Sequence, residues 1–316
     1  MKILVIGGSG FVGGHLARRL ARDGHAVVIG TRHAPAARRL RILPRLSIRQ
    51  FDPCDADALA REAGTCDAVV NLVGILNEPL RDHGAFHRAH VELPEAVIEA
   101  CRRSDVRRLV HMSALNAGDD ASRYLATRGE GERRVRDSGL DWTVFRPSTI
   151  FGPDDAFLRR FERLLSLSPV LPLARPEARM APVWVGDVAE AFARALDDPR
   201  SKGRAYELCG PDVWRLRDIV AWVARQRGLT RWIVPLPDGL GRLQGRLFDF
   251  VPGKPFSTDN FRSLGVDSVC TADGFAALDI EPWAMDEKAA EWFTGRDRQH
   301  RYQRFRRSAS RSRPGG

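Results

Sequence analysis

Two residues in the stretch YLATRGEGERRVR, residues 124–136, have the types and spacing for proton chemistry. Tyr124 and Arg128 lie four apart, which on a helix sets them on one face. A guanidinium held beside a phenol favours the phenolate, so the pair can give or take a proton at a bound oxygen. Ser113, eleven residues before Tyr124 and at the end of a different apolar run, can join them only if the fold brings it there. A charged surface helix that holds a tyrosine would read the same way. The elements around the pair have to decide.

The stretch VIGGSGFVG sets Gly7, Gly10 and Gly13 as G-x-x-G-x-x-G between an apolar run and an amphipathic one. Backbone must come close to a pyrophosphate in such a turn, and helix N-terminal amides then favour the phosphate charge. Ser9, Phe11 and Val12, between the glycines, are expected to line the same site. An NAD-preferring site usually places an acid at the end of the second strand to bind the ribose hydroxyls. Here that strand ends VVIGTRH, with no acid and with Arg32. A guanidinium there can pair with a 2′-phosphate, so NADP(H) is favoured and NAD(H) stays compatible. Of the 50 basic residues only Lys2, Lys202, Lys254 and Lys288 are lysines. An ordinary surface arginine therefore remains an alternative reading of Arg32.

The elements that must position these groups follow from periodicity. KILVIG, AVVIGTR, LSIRQFD, DAVVNLVG, RLVHMSA and DWTVFRPS read as strands, separated by helical segments near 34–40, 55–62, 86–104 and 122–138. FVGGHLARRLARDG presents Leu16 and Leu20 on one helical face. Strand–helix alternation implies parallel strands with right-handed crossovers. The fold expected is α/β, a doubly wound parallel Rossmann sheet over residues 1–150. After Pro147 the alternation becomes irregular. A smaller mixed α/β region on the substrate side is expected over 151–294, with some elements packing back on the first. Asp187 and Glu190 in GDVAEAF look like a capping box at a helix start. Phe157, Leu158, Phe161 and Trp184 could wall an apolar pocket, although the spacing also describes a core-packed helix.

Composition narrows the class. An apolar fraction of 43% supports a buried core, and the longest apolar run, AVVNLVGIL from Ala68, is far short of the ~20 residues of a membrane span. MKILVIGGSG runs directly into a strand with no room for a signal peptide, so a cytoplasmic protein is expected, at most peripheral at the inner face of the membrane. Cys54, Cys66, Cys101, Cys209 and Cys270 show no close pair, which predicts neither a zinc site nor a disulfide framework and fits a reducing compartment. His83, His87 and His90 could share a helix face as metal ligands, but only Glu92 stands near to complete a set, and no metal is expected.

The formal charge of +10 is concentrated. Between residues 295 and 316 there are eight Arg and one Asp, net +7. The expected reading is a solvated disordered tail, with weak association to anionic lipid or nucleic acid as the alternative and no specific nucleic acid partner.

With the glycine motif, LVHMSAL and the Tyr124 helix together, the sequence resembles the short-chain dehydrogenase/reductase superfamily. It is most similar to the atypical branch related to the nucleotide-binding accessory subunit of respiratory complex I. The resemblance covers about residues 1–290, carried by GGSGFVG, FDPCD, VVNLVGIL, LVHMSAL, YLATRGEGE, FRPSTIFGPDDAFLRRF and PVWVGDVA. It implies that Asp52 contacts the adenine ring and that Leu72, Val73 and Gly74 line the cofactor. Ser113 then matches the serine that bonds a substrate carbonyl, and Tyr124 the general acid or base. Pro147 and Ser148 would border the nicotinamide. Arg128 stands where the family usually has lysine, and the resemblance implies that it reaches the nicotinamide ribose. Hydride transfer to or from a carbonyl or quinone is the implied reaction. A nucleotide-holding structural factor in a respiratory complex is the first alternative, and a sugar-nucleotide epimerase or dehydratase the second.

Overall fold

The computed structural model describes residues 1–80, 82–251 and 254–293; the basic stretch 295–316 lies outside the described residues. The first half runs β1 (Lys2–Ile6), α1 (Phe11–Arg22), β2 (Ala26–Thr31), β3 (Leu46–Gln50), α2 (Ala56–Ala63), β4 (Ala68–Asn71), α3 (Ala85–His87), α4 (Leu93–Arg103), β5 (Arg108–Met112), α5 (Arg123–Arg136) and β6 (Asp141–Pro147). The second half runs β7 (Ile150–Phe151), α6 (Phe157–Leu167), β8 (Val170–Ala174), β9 (Arg179–Met180), β10 (Val183–Trp184), α7 (Val185–Asp197), β11 (Arg204–Leu208), β12 (Trp214–Arg215), α8 (Leu216–Gln226), β13 (Trp232–Leu236), α9 (Asp238–Phe248) and α10 (Thr258–Ser263). A further helix covers residues 285–293.

Seven parallel strands form the main sheet in the order β11-β6-β5-β4-β1-β2-β3. The inner strands are apolar on both faces because helices cover both. Leu16 and Leu20 of α1 pack with Val188 and Phe192 of α7 on one side. Leu59 of α2, Val97 and Ile98 of α4 and Val135 of α5 fill the other. Strand order reverses between β1 and β4, and in open sheets of this kind the ligand crevice lies at that switch, beyond the strands' carboxyl ends. A third cluster, with Leu158 of α6, Ile219 and Val223 of α8 and Phe293, is the core of the smaller region. No helix among the described residues is long and apolar enough to cross a membrane.

Several expectations need correction. The irregular stretch after Pro147 does continue the sheet, since β11 pairs in parallel with β6 and α7 covers α1. The capping box is absent. Helix α7 starts at Val185, so Asp187 lies inside its first turn, and no side chain caps it. Asp187 instead accepts the Trp283 N–H at 2.8 Å, while Glu190 pairs with Arg19 at 2.6 Å and Arg194 at 2.9 Å. Tertiary partners have taken both carboxylates. The helical segment expected near 34–40 is present, as a 3-10 helix.

Two of the cysteines expected to be free are joined: Cys209 and Cys270 form a disulfide across 61 residues. Cys209 follows β11, and the loop that carries Cys270 returns to that strand because Glu207 accepts the Thr271 and Ala272 N–H groups at 2.7 and 3.2 Å. The pairing is a product of tertiary folding and has no local spacing to betray it.

Burial pushes the Asp187 carboxyl up from 3.8 to about 6. A raised acid binds its proton more tightly in the folded state, so its contribution is complete below about pH 4 and is lost as pH rises towards 6. Asp187→Asn keeps an acceptor for Trp283 and removes the charge. It should raise the melting temperature by a few degrees above about pH 7 and by almost nothing near pH 4. Thermal denaturation at the two pH values checks this, and an equal change at both would exclude the charge as the cause.

Candidate active site

A cleft of about 1490 Å³ opens past the carboxyl ends of the central strands. Gly7, Ser9, Gly10, Phe11, Val12 and Gly13 form its glycine-rich wall. The loop needs its glycines for two reasons. Gly7 adopts φ +79°, and a Cβ on Gly13 would stand 2.5 Å from the Gly8 Cα. The Gly10 N–H donates to the Gly7 carbonyl at 3.0 Å, and α1 starts immediately after with Gly10 as its N-cap and no side-chain cap. Its first amides are therefore free for an anion, as phosphate-binding helix starts require.

Arg32 and Asp52 line the neighbouring part of the cleft with Cys54, and Arg32 is exposed and has no ion pair among the described residues. Asp52 accepts the Cys54 N–H at 3.1 Å, which shapes the turn after β3. Leu72, Val73 and Gly74 line the cleft past β4, and Pro147, the last residue of β6, does so with Ser148. The Ser148 hydroxyl bonds to the Ser268 carbonyl at 2.8 Å, so its donor is already engaged. Phe157 and Phe161 line the cleft, whereas Leu158 is buried in the core and Trp184 stacks on Trp292. One helix thus serves both readings of that stretch, with different faces.

Ser113 extends β5, its N–H bonded to the Phe145 carbonyl at 2.7 Å, and its buried hydroxyl has no partner. Tyr124 stands in the first turn of α5. Ser122 caps that helix by accepting the Leu125 N–H, and Asp259 of α10 accepts the N–H groups of Arg123 and Tyr124 at 2.9 and 3.2 Å. The Tyr124 ring meets Phe86 and His90 edge-on, with centroids 6.0 and 5.5 Å away. The Arg128 guanidinium carbon lies 5.6 Å from the ring centroid, the one-face arrangement that the four-residue spacing implies.

Arg128 is 5% exposed and is turned onto backbone. Its Nη1 donates to the carbonyls of Met112 at 3.0 Å and Val73 at 3.3 Å, at the end of β5 and in the turn after β4. Gly74 makes this approach achievable, because a Cβ there would fall 1.6 Å from Nη2. The Nε–H is left buried and unpartnered. Two histidines face this cation. Burial, then Arg128 and His111, holds His90 down to about 2, and burial with Arg128 holds His111 down to about 3. Both imidazoles are neutral, which avoids placing like charges together in a desolvated site. His111 Nδ1 lies 3.3 Å from the Asn71 side-chain nitrogen, and Asn71 in turn accepts the Val73 N–H at 3.1 Å.

The three histidines considered as metal ligands are not brought together. His87 is exposed and pairs with Glu92, while His90 is buried, accepting the Ile75 N–H at 3.2 Å and meeting the Thr127 hydroxyl at 2.9 Å. No metal-holding group occurs among the described residues. A π-helical turn over Arg88–Glu92, between α3 and α4, carries His90 inward. Such turns often mark functional sites. The signal for it was Pro94, which lacks the N–H that a regular helix would donate to the His90 carbonyl. That carbonyl abuts α5 at Gly131, where a Cβ would be 1.8 Å away. His111, Asn71 and Asp259 are the neighbours of the site that sequence reasoning missed, and His90 was weighed there as a metal ligand.

Gly74→Ala should displace the Arg128 guanidinium and leave the Val73 and Met112 carbonyls short of a donor, costing about 1–3 kcal/mol. In an Arg128→Ala background the same change should cost much less, because the clash is gone. Chemical denaturation of the four proteins tests the pairing; additive losses would refute it.

The comparisons fit this geometry. The sequence pattern of the NAD dependent epimerase/dehydratase family matches residues 3–209. Over 297 residues the chain is 28% identical to the mitochondrial NADH dehydrogenase (ubiquinone) 1 alpha subcomplex subunit 9 of Mus musculus, spanning 91% of this chain and 78% of that protein. It is 27% identical over 246 residues to a ceramide reductase of Caulobacter vibrioides, spanning 75% and 74%. In fold it is similar to an NADPH-dependent quinone oxidoreductase from Escherichia coli solved with NADPH, with a TM-score of 0.75 at 18% identity over 92% of this chain and 99% of that one. With its glycine loop, its parallel sheet and two thirds of its length inside the family pattern, this chain belongs to the NAD dependent epimerase/dehydratase family.

Proposed function

We propose that the chain is an NADP(H)-dependent oxidoreductase that acts on the carbonyl or quinone oxygen of a largely apolar substrate. The observation that carries this reading is a pair of orphaned buried donors, the Ser113 hydroxyl and the Arg128 Nε–H, lining one cleft with Tyr124. Buried polar groups are seldom left unpaired, so a ligand that completes them is expected. The glycine cradle, which a Cβ at Gly13 would fill, suits a pyrophosphate, and Arg32 without a neighbouring acid at the end of β2 suits a 2′-phosphate.

When bound, the nicotinamide supplies or accepts a hydride. The residues of the chain do the rest. The first amides of α1 hold phosphate, and Arg32 selects the phosphorylated ribose. The Ser113 hydroxyl donates to the substrate oxygen and fixes it, and the Tyr124 phenol passes the proton as charge develops there. Arg128 is a positioning residue, held on two carbonyls, with its Nε–H suited to a ribose hydroxyl. Phe157, Phe161, Leu164 and Phe248 extend the cleft as an apolar arm, which favours a hydrocarbon-bearing substrate over a nucleotide sugar.

A second reading has its own support. The guanidinium of Arg128 is occupied by backbone, and one of the similar proteins is a subunit of a respiratory complex. A nucleotide-holding structural role would use the same cleft without turnover.

Arg32→Ala should weaken NADPH binding by about 1.5–3 kcal/mol, roughly 10- to 100-fold, and leave NADH almost unchanged. Calorimetry with both nucleotides measures this, and equal losses would remove Arg32 from the role. In single-turnover oxidation of bound NADPH by carbonyls or quinones, Tyr124→Phe should slow the reaction by about 10²–10⁴ with little change in nucleotide affinity. If no candidate acceptor is reduced and Tyr124→Phe is silent while nucleotide still raises the melting temperature, the structural reading replaces the catalytic one.

A further inference from the structure

Helix α9 carries an apolar face that nothing covers among the described residues. Leu240, Leu243 and Leu247, at i, i+3 and i+7, form a stripe in which each is about half exposed or more, and Phe250 just beyond is 74% exposed. The opposite side of the helix is the packed one, where Gly241 and Gly245 are buried. Between the two faces, Gln244 and Phe248 line the large cleft, so the stripe borders its opening. Leu167, 78% exposed, also lines that cleft.

Beside the stripe, at the next 100° steps around the helix, stand Arg242 and Arg246, one turn apart. They line a second pocket of about 460 Å³ together with Arg175 and Arg262, floored by Phe261 and Thr258. The acids near this pocket are largely engaged. Asp238 pairs with Arg175 at 3.2 Å, Asp249 accepts from the Thr258 hydroxyl and N–H, and Asp259 accepts from the Arg123 and Tyr124 N–H groups. Among the described residues Arg242, Arg246 and Arg262 have no ion pair with a carboxylate. Arg175 is fixed, its guanidinium carbon 4.6 Å over the Phe261 ring. The Arg242, Arg246 and Arg262 guanidinium groups around one hollow repel each other unless an anion joins them, and phosphate oxygens are the acceptors that arginines fit best.

A four-arginine pocket adjoining an exposed leucine stripe has the two halves of an interfacial lipid site, a cationic flank and an apolar face. We propose that this face seats the protein on an anionic bilayer: the arginine pocket takes a phospholipid phosphate, and Leu240, Leu243 and Leu247 enter the acyl layer. The opening of the large cleft then faces the membrane, where a hydrocarbon-bearing substrate is dissolved. The seat is built by α9 and α10 and does not depend on the basic stretch at 295–316. It is also separate from the oxidoreductase reading, because it is measured without turnover.

The test is flotation of the full chain with phosphatidylcholine vesicles, with and without phosphatidylglycerol. The parent should float only with the anionic vesicles. The double variants Arg242→Glu/Arg246→Glu and Leu243→Ser/Leu247→Ser, both keeping residues 295–316, should each lose about tenfold or more in binding. Their melting temperatures should match the parent, since all four side chains are exposed. Parent-like binding by both variants would overturn the proposal and move the contact elsewhere in the chain. So would failure of the parent to float. A parent that fails to float while glycerol phosphate alone raises its melting temperature would make the pocket a site for a soluble phosphate. A parent that self-associates without floating, and no longer does so as Leu243→Ser/Leu247→Ser, would make the stripe an interface between copies.

Discussion

The site depends on one buried charge. Arg128 is almost wholly removed from water and, among the described residues, has no carboxylate partner. Taking a guanidinium out of water costs several kcal/mol, and two charge-assisted bonds to carbonyls return about 1.5–3 kcal/mol each. The neighbours are arranged to keep that balance tolerable. Gly74 leaves the space, the end of β5 and the turn after β4 present the Met112 and Val73 carbonyls, and His90 and His111 stay uncharged. The remaining buried Nε–H has no partner and adds to that cost.

The same interaction explains why arginine stands where the resemblance leads one to expect lysine. An ammonium is a point charge on a flexible stem, and it would reach ribose hydroxyls from α5 without leaning on the sheet. A guanidinium is longer and planar, with five donors in a fork. It can rest on two backbone carbonyls and still offer an N–H to the cleft. Arg128 therefore braces α5 against the sheet through the Met112 and Val73 carbonyls. The charge stays near Tyr124, but its position is set by backbone.

What could be read from the sequence was what is local. The glycine loop, the strands of the first half and the shared face of Tyr124 and Arg128 all rest on spacings of two to four residues, which chain geometry enforces wherever they occur. The cleft then gathers Ser113, Asp52 and Pro147 because the parallel sheet aligns its strand ends. The missed features depend on partners far along the chain. Asp187 was taken by Trp283, 96 residues away, and Cys209 by Cys270. Asp259 caps α5 across 135 residues. The π turn that buries His90 had one visible sign, Pro94, which reads equally well as an ordinary helix start. The direction of Arg128 was open because a helix spacing fixes a face and leaves the rotamer free.

The smaller region does more than wall the cleft. Helix α10 has six residues, and they serve two places at once. Thr258, Phe261 and Arg262 line the arginine pocket, while Asp259 holds the first N–H groups of α5, including that of Tyr124. The Ser263 hydroxyl donates to Ser122, the residue that caps α5, at 2.8 Å. A shift of so short a helix cannot be absorbed within it, so a movement felt at Arg262 is also felt at the start of the Tyr124 helix. Burial raises the Asp259 carboxyl above its ordinary range, and only the bonds from α5 and the nearby arginines Arg123 and Arg262 oppose that rise. The N–H cap at Tyr124 and the Arg262 wall of the pocket are thus held by one element and by overlapping electrostatics, so the start of α5 and the arginine pocket share one support.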